Sequence, residues 1–405
     1  MEDTAMLSQV QLARERIRDF ICTTPCQYSA DLSGITGQQI YLKLDNLQRT
    51  GAFKERGALN KILLLTEEEK RRGIVAASAG NHAQAVAYHA TERKIRAQIV
   101  MPLMTPLVKV SATRGFGADV ILHGANYDEA YDEALRRSKE QGLTFLHPFN
   151  DLAVIHGQGT IGLELLEQIP NLEAVVVPIG GGGLISGVAG ALKESNPAIR
   201  VIGVQTERLP SMLEACKAGK PVTLPAEATI ADGIAVRRAG DLTLPFVQRY
   251  VDEMVTVDEE EIASAILVLL EREKTLAEGA GAVALAALLH KKTSLTTQRT
   301  AVLVCGGNID VSLLARIIER GLVKDGRRVR IRVHLSDRPG ALLALTKILA
   351  DQQANIVETL HNRAHYGVNL GDTVIDITLE ARGAAHIQAI SSALHEAGYK
   401  FERIP

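Results

Sequence analysis

The chain has no tryptophan and only seven phenylalanines in 405 residues, so it offers few of the aromatic platforms on which single-stranded nucleic acids stack. Its net charge is −2, which removes the electrostatic footprint of a nucleic-acid or anionic-membrane binder. The four cysteines, Cys22, Cys26, Cys216 and Cys305, are too few and too scattered for a disulfide framework. Cys22 and Cys26 flank a proline with no histidine nearby, which favours two unpaired thiols over a metal pair. The acidic opening Met-Glu-Asp-Thr has no basic-then-apolar pattern of a secretory signal. One apolar run, Ala174 to Leu192, is long enough to question as a membrane span. It contains Pro178 and four consecutive glycines, so it reads as strand, loop and helix. These absences predict a cytoplasmic protein with neither a nucleic-acid nor a membrane partner.

What is present is ordinary for a globular protein: 46% apolar and 23% charged residues. The length implies two or three domains. From about Gln39 to Asp325, short β-rich runs alternate with helical patterns. The expected strands are Ile40–Leu44, Ile74–Ala77, Ala97–Met101, Asp119–Leu122, Ala174–Pro178, Val201–Gln205 and Thr300–Val304, with helices such as Tyr127–Glu140 and Glu259–Glu271 between them. Apolar strands without polar alternation, each followed by a helix, predict an α/β unit with parallel sheets covered on both faces. Ligands are then expected beyond the carboxyl ends of the strands. After Gly326 the pattern becomes strand Val329–Leu335, helix Pro339–Gln352, strands Asn355–Arg363 and Thr373–Leu379, helix Ala384–Ala397 and strand Tyr399–Ile404. This βαββαβ order is ferredoxin-like. The polar stretch Lys324–Arg328 predicts the joint, with domains over 1–323 and 327–405 and a smaller subdomain at about 48–155 inserted in the first.

Four segments stand directly after expected strands. Gly180-Gly181-Gly182-Gly183-Leu184 precedes a helix, and glycines there let several N–H groups converge at the helix start, a geometry that suits a phosphate. A merely flexible connection is the plainer reading of such a run. The spacing fails both dinucleotide and Walker signatures, which argues against a nicotinamide-dependent oxidoreductase. In Thr50-Gly51-Ala52-Phe53-Lys54, the lysine stands where an α/β active site lies. A lone lysine is usually solvated, but an amine held in such a pocket can form a Schiff base with an aldehyde cofactor. Ser78-Ala79-Gly80-Asn81-His82 makes a helix start able to hold a carboxylate. His82 reads better as a packing or backbone-orienting residue than as a general base, because no carboxylate is evident to position it. Cys305-Gly306-Gly307-Asn308 again permits close ligand approach, although a buried cysteine is most often inert.

Together, and in this order, these segments resemble the fold-type II pyridoxal-phosphate enzymes, most closely the threonine dehydratases (threonine ammonia-lyases), over roughly Leu7 to Gly321. The resemblance implies a two-subdomain parallel-sheet fold and pyridoxal 5′-phosphate as cofactor. It makes Lys54 the catalytic, cofactor-bonding residue, with the ring between Phe53 and Gly233. Asn81 would meet the ring hydroxyl, Gly180, Gly181, Gly182, Gly183 and Leu184 would cradle the phosphate, and Cys305 would face the pyridine nitrogen. Ser78, Ala79, Gly80, Asn81 and His82 would bind the substrate carboxylate. It also implies a homodimer or homotetramer.

The departures refine this. Serine racemases carry a second serine where this chain has Ala79, so racemisation lacks its second proton carrier. Metal-binding relatives place Glu and Asp where this chain has Gln205 and, nearby, Ser211, so no metal is expected. Glu278 matches a family segment near the cofactor but receives no role. The C-terminal part resembles the ACT domains, small amino-acid sensors, through Asp337-Arg338-Pro339-Gly340 and Asn355-Ile356-Val357. The expected function is therefore deamination of L-threonine, and of L-serine less well, under control of an amino-acid effector such as Ile or Val. The effector site is expected at Asp337, Arg338, Pro339, Gly340 and Asn355. Alternatives are a serine racemase, a hydroxyaspartate dehydratase, or a non-catalytic cofactor-binding sensor, against which the presence of Lys54 argues.

Overall fold

Apolar runs become strands hidden on both faces. In the computed structural model, which describes residues 5–296, 298–362 and 371–404, Ile74–Ala77, Ala97–Met101 and Ala174–Pro178 are buried at every position, as a parallel sheet between helices demands. Three sheets form. A six-stranded sheet has the spatial order Cys26–Tyr28, Gln39–Leu44, Arg299–Val304, Ala174–Pro178, Arg200–Thr206, Glu253–Val257. All its pairings are parallel except that of Cys26–Tyr28 with Gln39–Leu44. A four-stranded parallel sheet, Asp119–Leu122, Ala97–Met101, Ile74–Ala77, Thr144–Phe145, is the smaller subdomain.

Three strands were not expected, each for a reason. Glu253–Val257 is only half-buried along most of its length, and Thr144–Phe145 has two residues. Cys26–Tyr28 is a short, largely exposed edge. None produces an apolar run. By contrast, Glu259–Glu271 begins with a reciprocal capping box between Asp258 and Glu261, a signal that local sequence carries in full.

The helix Lys54–Leu63, which begins at the candidate lysine, is fixed to its surroundings by buried charge. The Arg56 guanidinium donates to Asp45 Oδ2 (2.7 Å) and to Glu164 Oε1 (2.5 Å), and Lys43 Nζ donates to Glu164 Oε2 (2.6 Å). Arg56, Asp45 and Lys43 are at most 1% exposed. The arrangement ties strand Gln39–Leu44, helix Lys54–Leu63 and helix Leu152–Gln168 together. Removing one member would strand a buried charge. Helix Leu152–Gln168 approaches closely because a Cβ on Gly157 would come within 2.6 Å of the Arg56 carbonyl oxygen.

The chain divides into two compact units after Asp310. The helix Val311–Lys324 therefore belongs with the second unit, where it packs on strand Arg328–Ser336; the expected joint at Lys324–Arg328 lies one helix later. In the second unit the antiparallel sheet order is Asn355–Asn362, Asp372–Glu380, Arg328–Ser336, Lys400–Ile404. With helices Ala341–Asp351 and Ala384–Glu396 it completes a βαββαβ unit. Val329, Ile331, Val333 and Leu335 enter its core with Leu345, Leu349, Ile390 and Leu394.

Two expectations need correcting here. The helix expected from Pro339 opens instead at Ala341, with Gly340 as its N-cap at φ 86°; a left-handed N-cap moves the start two residues on. Asn355 lies opposite Glu380 and Arg328, whereas the turn at Asp337 follows Ser336, opposite Asp372. Asp372–Glu380 also separates the two strands. Eight residues of strand put Asn355 and the turn roughly 26 Å apart, so one copy does not bring them together. The expected end of that strand, Arg363, lies outside the described residues.

Candidate active site

All four glycine-bearing or lysine-bearing segments follow the carboxyl ends of parallel strands, and hydrogen bonds join three of them, Thr50–Lys54, Ser78–His82 and Cys305–Asn308. The Phe53 N–H donates to the Cys305 carbonyl oxygen (3.0 Å), and the Gly307 N–H donates to the Gly51 carbonyl oxygen (2.9 Å). Asn308 Nδ2 donates to the Thr50 carbonyl oxygen (2.7 Å) and to Asn81 Oδ1 (2.8 Å). Asn81 Nδ2 in turn donates to Glu278 Oε1 (2.6 Å). Gly233 belongs to the same wall, since a Cβ there would stand 3.2 Å from Glu278 Oε1.

Lys54 is the first residue of its helix. Its Nζ donates to the Pro148 carbonyl oxygen (3.0 Å) and lies 5.0 Å from the centre of the Phe53 ring. Burial lowers its pKa to about 8, against the opposing pull of Cys305 and Glu278. An amine so placed reaches its neutral, nucleophilic form far more readily than a solvated lysine. Cys305 is 2% exposed, and its Sγ lies 3.5 Å from the Ala280 carbonyl oxygen. Burial first, then Glu278, pushes the thiol well above its ordinary range, so the sulfur stays protonated and neutral.

Gly181, Gly182 and Gly183 lead into helix Gly183–Ser195, with Gly182 as N-cap at φ 96°. A Cβ at Gly181 would lie 2.3 Å from the Phe149 ring, and one at Gly183 2.9 Å from the Phe149 backbone. Among the described residues, the N–H groups of Gly181, Gly182, Gly183 and Leu184 meet no protein acceptor. Backbone donors converging at a helix start suit an anionic group such as a phosphate. Pyridoxal phosphate, with an aldehyde for Lys54 and a phosphate for these donors, fits this set.

The segment Ser78–His82 leads into helix Asn81–Glu92, with Gly80 as N-cap. The Gly80 N–H is held by Ser78 Oγ (3.2 Å), which shapes the loop. His82 Nε2 lies 3.1 Å from the Leu146 carbonyl oxygen. Burial, and after it the Lys54 charge, depresses its pKa to about 3. A neutral imidazole bonded to a backbone carbonyl holds the loop in place and is a poor proton acceptor. The sequence assigns no role to Pro148, Phe149 or the Asn308 side chain. Asn308 stood within the segment Cys305–Asn308, whereas nothing local marks Pro148 or Phe149 as neighbours of Lys54.

Residues 17–306 match the family model "Pyridoxal-phosphate dependent enzyme". The chain is 51% identical over 394 residues to an L-threonine ammonia-lyase of Thermotoga maritima, covering 97% of this chain and 98% of that one. It is 47% identical over 390 residues to an L-threonine ammonia-lyase of Geobacter sulfurreducens, covering 96% and 97%. Among solved structures, the processed form of threonine deaminase isoform 2 from Solanum lycopersicum superposes with a TM-score of 0.74 at 37% identity, covering 78% of this chain and 94% of that one. Maize serine racemase gives the same score and identity over 79% and 98%. The chain belongs to the pyridoxal-phosphate dependent enzymes, and within them to the L-threonine ammonia-lyase family.

Proposed function

We propose that the protein converts L-threonine to 2-oxobutanoate and ammonia, and L-serine more slowly to pyruvate and ammonia, under the control of an amino acid bound at its C-terminal domain. The observation that carries the reading is the Lys54 amine: half-buried, with its pKa lowered to about 8 by desolvation, and bonded to the Pro148 carbonyl beside Phe149, against which the glycine loop packs. Bound pyridoxal phosphate supplies an electron sink that acidifies the Cα proton of an attached amino acid. The donors of Gly181 to Leu184 would hold the phosphate, Phe53 and Gly233 would flank the ring, and Asn81 would donate to the ring oxygen. The loop Ser78–His82 orients the substrate carboxylate. Lys54 takes the Cα proton, and the β-hydroxyl leaves as water on gaining a proton, so that the loss from Cα and the gain at the leaving oxygen balance. The unsaturated amine left behind takes up water to yield the 2-oxo acid and ammonia.

Cys305 contributes by staying neutral. A thiol does not force protonation of a ring nitrogen, so the sink remains moderate. That suits elimination, which does not need charge stored at Cα for long. Serine racemisation needs a proton carrier on the opposite face, and Ala79, next to Ser78, supplies none.

In the regulatory part of this reading, residues 327–405 are an ACT-like sensor. The turn Asp337–Gly340 and Asn355 stand at opposite ends of one sheet, so an effector that meets both lies between two copies of the domain, which fits a homo-oligomer. The test is 2-oxo-acid formation from a panel of hydroxy-amino acids, with and without Ile and Val. Threonine turnover that Ile or Val alters supports the whole reading. No threonine turnover by protein carrying its cofactor removes the catalytic part. Turnover indifferent to every amino acid tested removes the regulatory part.

A further inference from the structure

Glu278 is placed unusually for its position in the chain. It is the N-cap residue of helix Gly279–Leu289, yet its side chain makes no capping hydrogen bond. It turns instead into the active-site cavity, where it is 4% exposed. Two glycines make room for it: a Cβ on Gly306 would stand 2.3 Å from Oε1, and one on Gly233 3.2 Å from the same atom. Its own N–H is anchored on the Gly306 carbonyl oxygen (3.0 Å). A carboxylate that forgoes a cap and is given space by two glycines is there for what it touches.

What it touches is the Asn81 amide. Asn81 has one amide oxygen and two N–H bonds. The oxygen accepts from Asn308 Nδ2 at 2.8 Å, and Asn308 is itself oriented by the Thr50 carbonyl oxygen at 2.7 Å. One N–H goes to Glu278 Oε1 at 2.6 Å. An amide held by an acceptor on one side and a donor on the other has no freedom to flip. One N–H is left over, and its direction is set by the other two bonds.

We infer that Glu278 is a positioning residue, whose carboxylate fixes the Asn81 amide so that its remaining N–H is aimed at the cofactor's ring oxygen. The inference rests on the reading of the cavity as the pyridoxal-phosphate site. Without Glu278 the amide loses the acceptor that holds its NH2 end. It then samples orientations in which oxygen faces oxygen at the ring, and the ring oxygen loses a donor. Glutamine keeps an acceptor oxygen at the same reach and preserves the arrangement. Asn308 acts from the other end, so its loss has the same consequence.

The experiment compares holoenzyme spectra and cofactor affinity for wild type, Glu278→Ala, Glu278→Gln and Asn308→Ala. Each protein is stripped of cofactor and titrated with pyridoxal phosphate, and the visible absorption band is recorded. Glu278→Ala is expected to bind the cofactor about tenfold more weakly, the worth of one hydrogen bond of about 1.4 kcal/mol, with a displaced band. Glu278→Gln is expected to restore both values to near wild type. Asn308→Ala is expected to displace the band in the same direction as Glu278→Ala, and it decides the matter if the alanine at 278 prevents folding. Combining Glu278→Ala with Asn81→Ala is expected to add nothing to the effect of Asn81→Ala. Wild-type affinity and band position in both Glu278→Ala and Asn308→Ala would overturn the inference, as would full additivity with Asn81→Ala. A failure of the site reading itself is recognised separately: Lys54→Ala would then still be labelled covalently on borohydride reduction.

Discussion

The Lys54 amine donates to the Pro148 carbonyl oxygen across 3.0 Å, which holds the helix-bound lysine beside the turn that carries Phe149 toward the glycine loop. Burial lowers the amine's pKa to about 8. Condensation with an aldehyde needs the unprotonated amine, whose population rises with pH through the pKa. Cofactor uptake by stripped protein should therefore accelerate up to about pH 8 and level off well short of the range in which an ordinary lysine titrates, about 10.4. Stopped-flow absorbance across pH measures this. A rate still climbing through pH 10 would mean that Lys54 is not a desolvated amine.

The glycine loop gives a second prediction. A methyl group at Gly181 would meet the Phe149 ring at 2.3 Å, so Gly181→Ala should push the ring or the loop aside at a cost of about 1–3 kcal/mol. The open N–H groups would then diverge, and cofactor affinity should fall by about tenfold or more. Titration of the stripped variant against pyridoxal phosphate checks it, and unchanged affinity would contradict the assignment of the phosphate to this loop.

The buried charges behind Lys54 should matter for stability. Arg56→Ala leaves Asp45 and Glu164 without their main cation and should cost about 3–5 kcal/mol of unfolding free energy, read by denaturant titration. Burial pushes the Asp45 carboxyl up, but Arg56 and then Lys43 outweigh it, so the net shift is downward. A carboxyl with a lowered folded pKa contributes stability that is complete above its unfolded value, about 3.9, and is lost as pH falls through the folded one. Wild type should accordingly lose stability in acid below about pH 4. Arg56→Ala should show a shallower acid dependence, and equal slopes would contradict this.

Cys305 separates chemistry from packing. Cys305→Ser keeps a neutral partner and should retain turnover within about tenfold. Cys305→Asp would place a carboxylate near Glu278, where burial and then Asp232 already push the carboxyl up to about 7. It should impair elimination and let a long-wavelength absorbing species accumulate. Equal elimination rates for the two variants would contradict the neutral-partner account.

Much of this architecture is legible in the sequence, and the exceptions have physical causes. Ile74–Ala77 and Ala174–Pro178 declare themselves because a strand covered on both faces must be apolar throughout. Glu253–Val257 does not, because its sheet position leaves it half-buried. The helix Val311–Lys324 lies in the stretch up to Asp325 that the sequence assigns to the α/β unit, and periodicity does not say which sheet receives a helix, so its membership of the second unit emerges only in three dimensions. In the cavity, Lys54 and the four glycines announce themselves by local composition. The link from Asn81 to Glu278 spans 197 residues of sequence, and no local pattern encodes it. Gly340 falls between these cases: its glycine marks a turn, while its left-handed N-cap geometry, φ 86°, fixes where the helix begins.

That geometry supplies a regulatory prediction. Gly340→Asp strains the N-cap of helix Ala341–Asp351, because an L side chain adopts φ near +86° poorly. The variant should keep unregulated turnover nearly unchanged and lose much of any response to Ile or Val. An unaltered response would remove the Asp337–Gly340 turn from the effector site.

The most direct test of the central claim is the steady-state formation of 2-oxobutanoate from L-threonine by the holoenzyme, run beside Lys54→Ala. Wild type is expected to release 2-oxobutanoate and ammonia in equal amounts. Lys54→Ala is expected to lose the covalently held cofactor and nearly all turnover, because the cofactor-bonding amine and the Cα-proton base are the same group. Wild-type turnover in Lys54→Ala, or a cofactor-loaded wild type that racemises serine while leaving threonine untouched, would contradict the account.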